Sequence, residues 1–231
     1  MKVVILAGGL GTRLRPLTFS IPKPLLPVGE TPILEIILSK LKSQGLTDII
    51  MAVGYKSELI KTYFGDGSKF GVDIKYLEED KPLGTAGPLR LAKDRFEINE
   101  PVLLMNGDIL TRLDFNKMID FHLNNKSDIT VGIKLHEYRS PYGVIELDGD
   151  NIKEIREKPS FKFDISTGIY VLNPQALDFV PKDSFYDMPS LIKDAMAKGM
   201  KVVGYRIDEY WIAVEHMDNY KEAIEEKEKW E

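Results

Sequence analysis

The chain opens with an apolar run that leads directly into a glycine-rich loop. Residues 3–7 read Val-Val-Ile-Leu-Ala, and residues 8–18 read Gly-Gly-Leu-Gly-Thr-Arg-Leu-Arg-Pro-Leu-Thr. β-Branched residues favour a strand, and glycines let the backbone approach a ligand closely. Backbone N–H groups in such a loop bind phosphate oxygens, and Arg13 adds a planar fork of donors. The pattern therefore predicts a strand that ends in a phosphate-binding loop.

Two familiar phosphate-binding motifs fit this loop poorly. A dinucleotide fingerprint needs a third glycine where the chain has Leu14, and a Walker loop needs a Gly-Lys-Ser or Gly-Lys-Thr sequence that the chain lacks. The glycines alone also fit an ordinary strand-to-helix turn. The next segment favours phosphate binding, because three prolines between residues 22 and 27 hold Lys23 in a loop. Lys23 would neutralise phosphate charge there, and the alternative is a solvated surface lysine.

The composition limits the classes of protein. With 231 residues, 43% of them hydrophobic, the chain can form one large core. A formal charge of -5 and a pI near 5.4 argue against a nucleic-acid partner, which requires a basic face. The sequence contains no cysteine, which excludes disulfides and thiolate zinc sites. No apolar run approaches the roughly 20 residues of a membrane span, so we expect a cytoplasmic protein with no membrane partner.

Strand-like apolar runs alternate with amphipathic helical patterns along most of the chain. This alternation predicts an α/β fold of three layers, with a mostly parallel sheet covered by helices on both faces. The predicted strands cover residues 3–7, 49–53, 74–77, 102–105 and 129–133, and the predicted helices cover residues 32–43, 57–64, 86–93, 115–124, 188–198 and 216–229. For the first helix, Thr31 is the predicted cap and Pro32 the first helical residue.

Residues 142–172 have a different pattern. Short alternating segments at 143–147, 152–157 and 165–172 accompany a turn at Asp148-Gly149-Asp150-Asn151. These features predict a β-hairpin-rich insertion. An insertion at the carboxyl ends of parallel strands lies where a second substrate binds.

Five blocks of sequence carry a resemblance to a known family. They are residues 8–28, 83–89 (Leu-Gly-Thr-Ala-Gly-Pro-Leu), 106–108 (Asn-Gly-Asp), 157–159 (Glu-Lys-Pro) and 168–171 (Gly-Ile-Tyr-Val). In this order they resemble the sugar-phosphate nucleotidylyltransferases, and most of all the group that includes the mannose 1-phosphate guanylyltransferases. Members of the family join a nucleoside triphosphate and a sugar 1-phosphate into an NDP-sugar and release pyrophosphate. The resemblance implies a single domain over residues 1–231 with a Rossmann-like nucleotidyltransferase sheet, a nucleotide-binding half at about 1–110 and a sugar-binding half at about 111–231.

The resemblance also implies which residues bind each substrate. Arg13, Lys23 and Asp108 would be catalytic, with Mg²⁺ held by Asp108. The nucleotide site would comprise Leu6, Ala7, Gly8, Gly9, Gly11, Thr12, Arg13, Lys23, Glu79, Gly84, Thr85 and Asp108. The sugar-phosphate site would comprise Gly143, Glu157, Lys158 and Ser166. Asp108 follows an apolar strand, so its carboxylate is expected at the edge of the sheet, where a hard cation needs oxygen ligands.

Glu79 predicts the nucleobase. It lies five residues before Gly84, where the family places a side chain that contacts the base. A carboxylate accepts well from guanine, whose N1–H and N2–H₂ groups both donate, so GTP is the expected nucleotide. Because Glu78 and Asp80 flank Glu79, a solvated acidic turn is the alternative.

Two positions depart from the family pattern. The family has an aspartate as a second magnesium ligand where this chain has Ala213, and an asparagine where it has Ser166. A methyl group binds no cation, so the expected metal site is incomplete. If the strand continues past Ala213, Glu215 shares its face and is a candidate replacement ligand. The alternative function is therefore a nucleotide-binding paralogue that is catalytically weakened or regulatory.

The remaining polar residues predict no second site. The three histidines, His122, His136 and His216, show neither the spacing of metal ligands nor a partner nucleophile, so none is assigned a catalytic role. The resemblance is also compatible with a homodimer.

Overall fold

The computed structural model describes residues 1–229, and a seven-stranded sheet lies at its centre. Trp230 and Glu231, the end of the expected domain, lie outside the described residues. The strands are β1 (Lys2–Leu6), β2 (Pro27–Val28), β3 (Thr31–Pro32), β4 (Asp48–Val53), β5 (Asp73–Glu78), β6 (Val102–Asn106), β7 (Ile109–Thr111), β8 (Ile129–Arg139), β9 (Val144–Asp148), β10 (Asn151–Arg156), β11 (Ser160–Leu172), β12 (Val202–Arg206) and β13 (Trp211–Ala213). The helices are α1 (Ile33–Ser43), α2 (Ser57–Phe64), α3 (Gly87–Phe96), α4 (Phe115–Asn124), α5 (Met188–Ala197) and α6 (Met217–Glu225).

The central sheet has the strand order β12-β8-β11-β6-β1-β4-β5. Strands β6, β1, β4 and β5 are parallel neighbours, and β12 is parallel to β8. Strand β11 runs antiparallel between β6 and β8. The predicted mostly parallel sheet is therefore confirmed. The strands at its parallel centre, β1, β4 and β6, are largely apolar; in β4 every residue after Asp48 is buried, because helices cover both faces.

Two apolar clusters separate the sheet from its helices. Alternate residues of β1 enter opposite clusters, since Val3 and Ile5 pack in one and Val4 packs in the other. The first cluster includes residues of α1, α2, α4 and α6, and the second includes residues of α3 and α5. The predicted three layers are therefore confirmed. Among the described residues, no helix combines the length and the apolar character needed to cross a membrane.

The predicted start of α1 is wrong by one residue, and its predicted cap is absent. Pro32 precedes the helix with an extended backbone (φ -57°, ψ 143°), and no side chain caps the helix. Thr31 instead pairs with Val28 in the short ladder of β2 and β3. The predicted apolar face is buried, as Ile33, Leu34, Ile37, Leu38 and Leu41. The helix predicted at 216–229 is shorter, because α6 ends at Glu225.

The region predicted as a hairpin-rich insertion contains one hairpin. Strands β9 and β10 pair antiparallel, and Gly149 at their turn has φ of +59°. The segment predicted at 165–172 belongs instead to β11, inside the central sheet. Alternation predicts a strand but not its partner, which is why the sequence placed this strand in the insertion. The short strands β2, β3, β7 and β12 were not predicted.

Parallel pairing brings three loops to one edge of the sheet. Ala7 follows β1 and its N–H donates to Ala52 O at 2.8 Å, while Glu79 follows β5 and its N–H donates to Val53 O at 3.1 Å. Beyond β6, the N–H of Gly107 donates to Leu6 O at 2.8 Å. The loops that begin at residues 8, 79 and 107 therefore start side by side, at the carboxyl ends where α/β proteins bind ligands.

His122 is a buried ring that joins α4 to the sheet. Its Nδ1 lies 2.9 Å from Thr130 Oγ1, and its Nε2 lies 3.1 Å from Asn173 Oδ1. An amide oxygen only accepts, so Nε2 carries the proton and Nδ1 accepts from the threonine hydroxyl. Burial lowers the pKa of His122 below its ordinary value, and the hydrogen bond to Asn173 opposes that shift.

We expect His122 to make the fold sensitive to acid. Because its pKa is lowered in the folded state, the unfolded state binds the proton more readily. The contribution of His122 to the free energy of unfolding is complete above the ordinary histidine pKa of about 6.5. Below that pH, the free energy of unfolding falls by up to about 1.4 kcal/mol per pH unit. Urea unfolding between about pH 8 and pH 5 should show a steeper fall for the native protein than for His122→Gln.

The exposed His136 provides the control for this prediction. His136→Gln should follow the native pH profile. Identical profiles for the native protein and His122→Gln would contradict the role assigned to the buried ring.

Candidate active site

A cleft of about 630 Å³ opens at the carboxyl edge of β1 and β6. It is lined by every residue that the sequence assigned to the nucleotide: Leu6, Ala7, Gly8, Gly9, Gly11, Thr12, Arg13, Lys23, Glu79, Gly84, Thr85 and Asp108. Glu215, the candidate replacement ligand, lines it as well. Segments that lie far apart in the sequence thus meet in one cavity. The roles of the individual residues in binding remain predictions.

The glycine loop makes a tight turn beyond the end of β1. Gly11 has a left-handed φ of +60°, and a Cβ there would lie 2.9 Å from Thr18 Cγ2. The buried Thr18 donates its hydroxyl to Gly11 O at 2.8 Å. Arg13 follows in a 3₁₀ turn and lines the cleft. A side chain at Gly11 would obstruct this turn, as the glycine pattern predicts.

Lys23 and Asp108 form an ion pair inside the cleft. Lys23 lies in the 3₁₀ turn Lys23–Leu25, and its Nζ donates to Asp108 Oδ2. Both side chains are largely buried, at 15% and 18% exposure. The other carboxylate oxygen, Oδ1, is buried and has no hydrogen-bond partner among residues 1–229. A buried carboxylate oxygen without a partner is unfavourable, and a bound cation would satisfy it.

Two glycines fix the position of Asp108. A Cβ at Gly107 would lie 2.8 Å from Leu6 O, the oxygen that accepts from the N–H of Gly107. A Cβ at Gly168, where φ is +75°, would lie 2.6 Å from Asn106 Nδ2. Side chains at these positions would push the end of β6 away from β1 and β11. Two of the sequence blocks therefore meet directly behind Asp108.

Arg13 and Glu215 form a second ion pair, with 2.5 Å between Nη1 and Oε2. The expectation that a strand continues past Ala213 is wrong, because β13 ends there and the N–H of Glu215 donates to Ala213 O in a tight turn. That turn lies beside the metal candidate, since Val214 N–H donates to Asp108 O at 2.9 Å. Glu215 reaches the cleft through the turn and not through strand alternation.

The carboxylates of the cleft suit a cation that is coordinated by the protein and by a ligand together. The described part of the chain contains no group of three or more His, Cys, Asp or Glu residues that could enclose a metal ion. Asp108 offers its buried Oδ1, and Glu215 offers a carboxylate that is paired with Arg13. Mg²⁺ is commonly bound by one or two carboxylates together with phosphate oxygens. The residues suit such a shared site and do not form a cage of protein ligands.

Glu79 is partly buried at the end of β5. Its Oε2 accepts from Leu83 N at 3.1 Å, and a Cβ at Gly8 would lie 3.1 Å from its Oε1. Burial raises the pKa of Glu79 above its ordinary value, while the hydrogen bond from Leu83 opposes that shift. The neighbouring Glu78 is exposed and pairs with Lys61, so the two carboxylates have different surroundings.

Gly84 and Thr85 hold the loop after Glu79 against the start of α5. Gly84 has φ of +79°, and a Cβ there would lie 2.6 Å from Tyr186 O. Thr85 Oγ1 accepts from Met188 N at 2.9 Å. Both predicted nucleotide residues therefore also shape the loop itself.

The sequence interpretation missed Phe185, which lines the same cleft. Its neighbour Tyr186 donates N–H to Leu83 O at 2.8 Å and accepts from the N–H groups of Ala86 and Gly87 at 2.9 and 3.0 Å. The only signal in the sequence is an aromatic pair ahead of a helix. Nothing in that signal reveals that the segment packs on a loop about 100 residues earlier.

The four predicted sugar-phosphate residues do not line this cleft. Gly143 and Glu157 are neighbours at the base of the hairpin, where a Cβ at Gly143 would lie 3.1 Å from Glu157 Oε2. Lys158 is exposed and has a left-handed φ of 44°. Ser166 lies on β11, with its Oγ 2.8 Å from Tyr170 OH. The structure therefore brings Gly143 and Glu157 together and places Ser166 beside Tyr170.

Curated relatives are similar over most of the chain. A protein of Oryza sativa subsp. japonica named probable mannose-1-phosphate guanylyltransferase 1 is 38% identical over 185 residues, which cover 77% of this chain and 51% of that protein. The D-glycero-alpha-D-manno-heptose 1-phosphate guanylyltransferase of Aneurinibacillus thermoaerophilus is 33% identical over 229 residues, 98% of both chains. The chain spans 51–62% of the length of five curated relatives, the first rice protein included.

A solved structure has the same fold. The putative glucose-1-phosphate thymidylyltransferase from Bacillus anthracis, crystallised in complex with a sucrose, superposes with a TM-score of 0.79 and 28% identity, covering 97% of this chain and 94% of that one. The family model described as nucleotidyl transferase matches residues 2–229. With the cleft at the carboxyl edge of a Rossmann-like sheet, this match establishes that the chain belongs to the nucleotidyl transferase family.

Proposed function

We propose that the protein is a sugar-1-phosphate nucleotidylyltransferase, with GTP as its nucleotide. The observation that carries the proposal is the convergence of Arg13, Lys23 and Asp108 on one cleft. The names of the relatives, which are guanylyltransferases and a thymidylyltransferase of sugar phosphates, support the same class of reaction.

In the proposed reaction, an oxygen of the sugar phosphate attacks the α-phosphorus of the nucleotide in line. The new P–O bond forms as the bond from the α-phosphorus to the bridging oxygen breaks, and pyrophosphate leaves with that electron pair. No bond to the protein forms, so the chain positions the groups and neutralises charge. Lys23 and Arg13 donate to phosphate oxygens once these replace their carboxylate partners.

Asp108 would hold Mg²⁺ together with the nucleotide, and Glu215 is the candidate for a second carboxylate ligand. The bound ion offsets negative charge on the phosphates. Oδ2 of Asp108 becomes available to the ion when Lys23 turns to phosphate, and the buried Oδ1, which has no partner among residues 1–229, is a second oxygen that the ion would satisfy. Release of Glu215 from Arg13 would free the second carboxylate when Arg13 turns to phosphate.

Glu79 supports the preference for GTP. A carboxylate accepts from both donors on the guanine edge, whereas uracil and thymine present an acceptor beside one donor. The hydrogen bond from Leu83 fixes the orientation of this carboxylate inside the cleft.

The sugar 1-phosphate would bind between this cleft and the base of the hairpin. Lys158 would pair with the attacking phosphate, and Glu157 would accept from sugar hydroxyls. Ser166 replaces the amide of relatives with a shorter hydroxyl, so the sugar contact at that position differs. In this proposal residues 1–110 supply most of the nucleotide site and residues 111–231 supply the sugar site, while Phe185 and Glu215 of the second half also line the nucleotide cleft.

A second candidate function is favoured by Ala213. That residue lies beside Asp108 in the fold, because it pairs with Ile109 across β13 and β7, and it adds no carboxylate. A paralogue that binds nucleotide but turns it over weakly, or serves regulation, would keep Arg13 and Lys23 and lose this ligand.

Replacement of Lys23 or Asp108 by Ala should lower turnover at least about 100-fold, because each removes a charged group from the reacting phosphates. Pyrophosphate release, measured over a panel of nucleoside triphosphates and sugar 1-phosphates with Mg²⁺, tests this. Lys117→Ala, at an exposed lysine of α4, is the matched control. Near-native rates in well-folded Lys23→Ala and Asp108→Ala proteins would refute the assignment.

Glu79→Gln should lower the preference for GTP over UTP by about 10- to 100-fold, because the amide offers one acceptor where guanine presents two donors. Native GTP affinity should also weaken as the pH falls through the raised pKa of Glu79, since protonation removes an acceptor. The glutamine variant should lose this part of the pH dependence. Glu78→Gln is the control, and an unchanged nucleotide preference in Glu79→Gln would exclude Glu79 from base recognition.

Ala213→Asp separates the two candidate functions. The variant restores a carboxylate beside Asp108 and should lower the Mg²⁺ concentration needed for half-maximal turnover at least about 10-fold. Ala213→Asn, of similar size but neutral, is the control. A native protein without turnover beside an active Ala213→Asp would establish the paralogue, whereas an active native protein would support the enzyme.

A further inference from the structure

We propose that Phe185 stacks on the face of the bound nucleobase, an inference that rests on the proposed nucleotide site. The side chain of Phe185 is 67% exposed although it lines the cleft. Aromatic rings are stabilised by covering their faces, and a base presents a flat π-surface of matching size. The exposed ring therefore suits a partner that enters the cleft.

The segment that carries Phe185 is fixed to the loop after Glu79. Three backbone hydrogen bonds join Tyr186 to that loop, one to Leu83 O and two from the N–H groups of Ala86 and Gly87. The ring lies beside the loop, since Phe185 Cε2 is 3.2 Å from the place that a Cβ would take at Gly84. The backbone from which the ring projects is thus fixed before any ligand binds, which lowers the entropic cost of stacking.

Leu83 connects the ring to the carboxylate proposed to read guanine. Its N–H donates to Glu79 Oε2, and its carbonyl accepts from Tyr186. A base has a polar edge and an apolar face, so a carboxylate and an aromatic ring recognise different parts of it. Stacking acts on any base, which separates the effect expected of Phe185 from that of Glu79.

Binding of GTP, ATP and inorganic tripolyphosphate to the full chain tests the proposal by isothermal titration calorimetry. Phe185→Ala should weaken GTP and ATP binding by about 5- to 150-fold, the range typical of one base on an aromatic ring, and leave tripolyphosphate binding unchanged. Phe185→Trp, which keeps a stacking surface, should bind GTP as the native protein does. Phe163→Ala, at an exposed phenylalanine that does not line the cleft, is the matched control.

Three outcomes would overturn the inference. They are native affinity of Phe185→Ala for GTP, an equal loss of tripolyphosphate binding in that variant, or a failure of Phe185→Trp to restore GTP binding. A native protein that binds neither GTP nor tripolyphosphate would overturn the proposed function itself. A native protein that binds both, beside an unaffected Phe185→Ala, would overturn the stacking contact alone.

Discussion

The ion pair of Lys23 and Asp108 is the interaction on which the candidate site depends. It ties the proline-rich loop to the end of β6, at a place where both side chains are largely buried. Burial of two charges is costly unless their remaining hydrogen-bonding capacity is satisfied, and here Oδ1 of Asp108 has no partner within residues 1–229. The pair therefore stabilises the fold weakly and holds a charged group ready for ligands.

Arg13 and Glu215 repeat the same arrangement at the open side of the cleft. Arg13 and Lys23, the two cations proposed to face the triphosphate, each have a carboxylate partner, so the two pairs together carry no net charge. Such pairing limits the repulsion between Arg13 and Lys23 within the cleft. A triphosphate must also compete with these carboxylates. It therefore gains less binding free energy from Arg13 and Lys23 than it would from two unpaired cations.

The residues that line the cleft could largely be predicted because their determinants are local. Glycines that allow a tight turn, prolines around Lys23 and an aspartate after an apolar strand are all visible in short stretches, and parallel pairing then aligns them. Glu215 and Phe185 depend on long-range contacts. The turn after Ala213 and the docking of Tyr186 on Leu83 leave no periodic signal in the sequence. For the same reason, β11 was predicted as a strand but assigned to the wrong sheet.

One continuous strand, β11, connects the two proposed substrate sites. Lys158 lies just before it, Ser166 lies within it, and Gly168 packs against Asn106 near the metal candidate. An irregularity between Ser166 and Tyr170 bends its ladder with β8. Because side chains alternate between the two faces of a strand, insertion or deletion of one residue just before Gly168 would turn the preceding side chains of β11 to the opposite face of the sheet. The position of the sugar relative to the nucleotide therefore depends on the number of residues in β11 that separate the two sites.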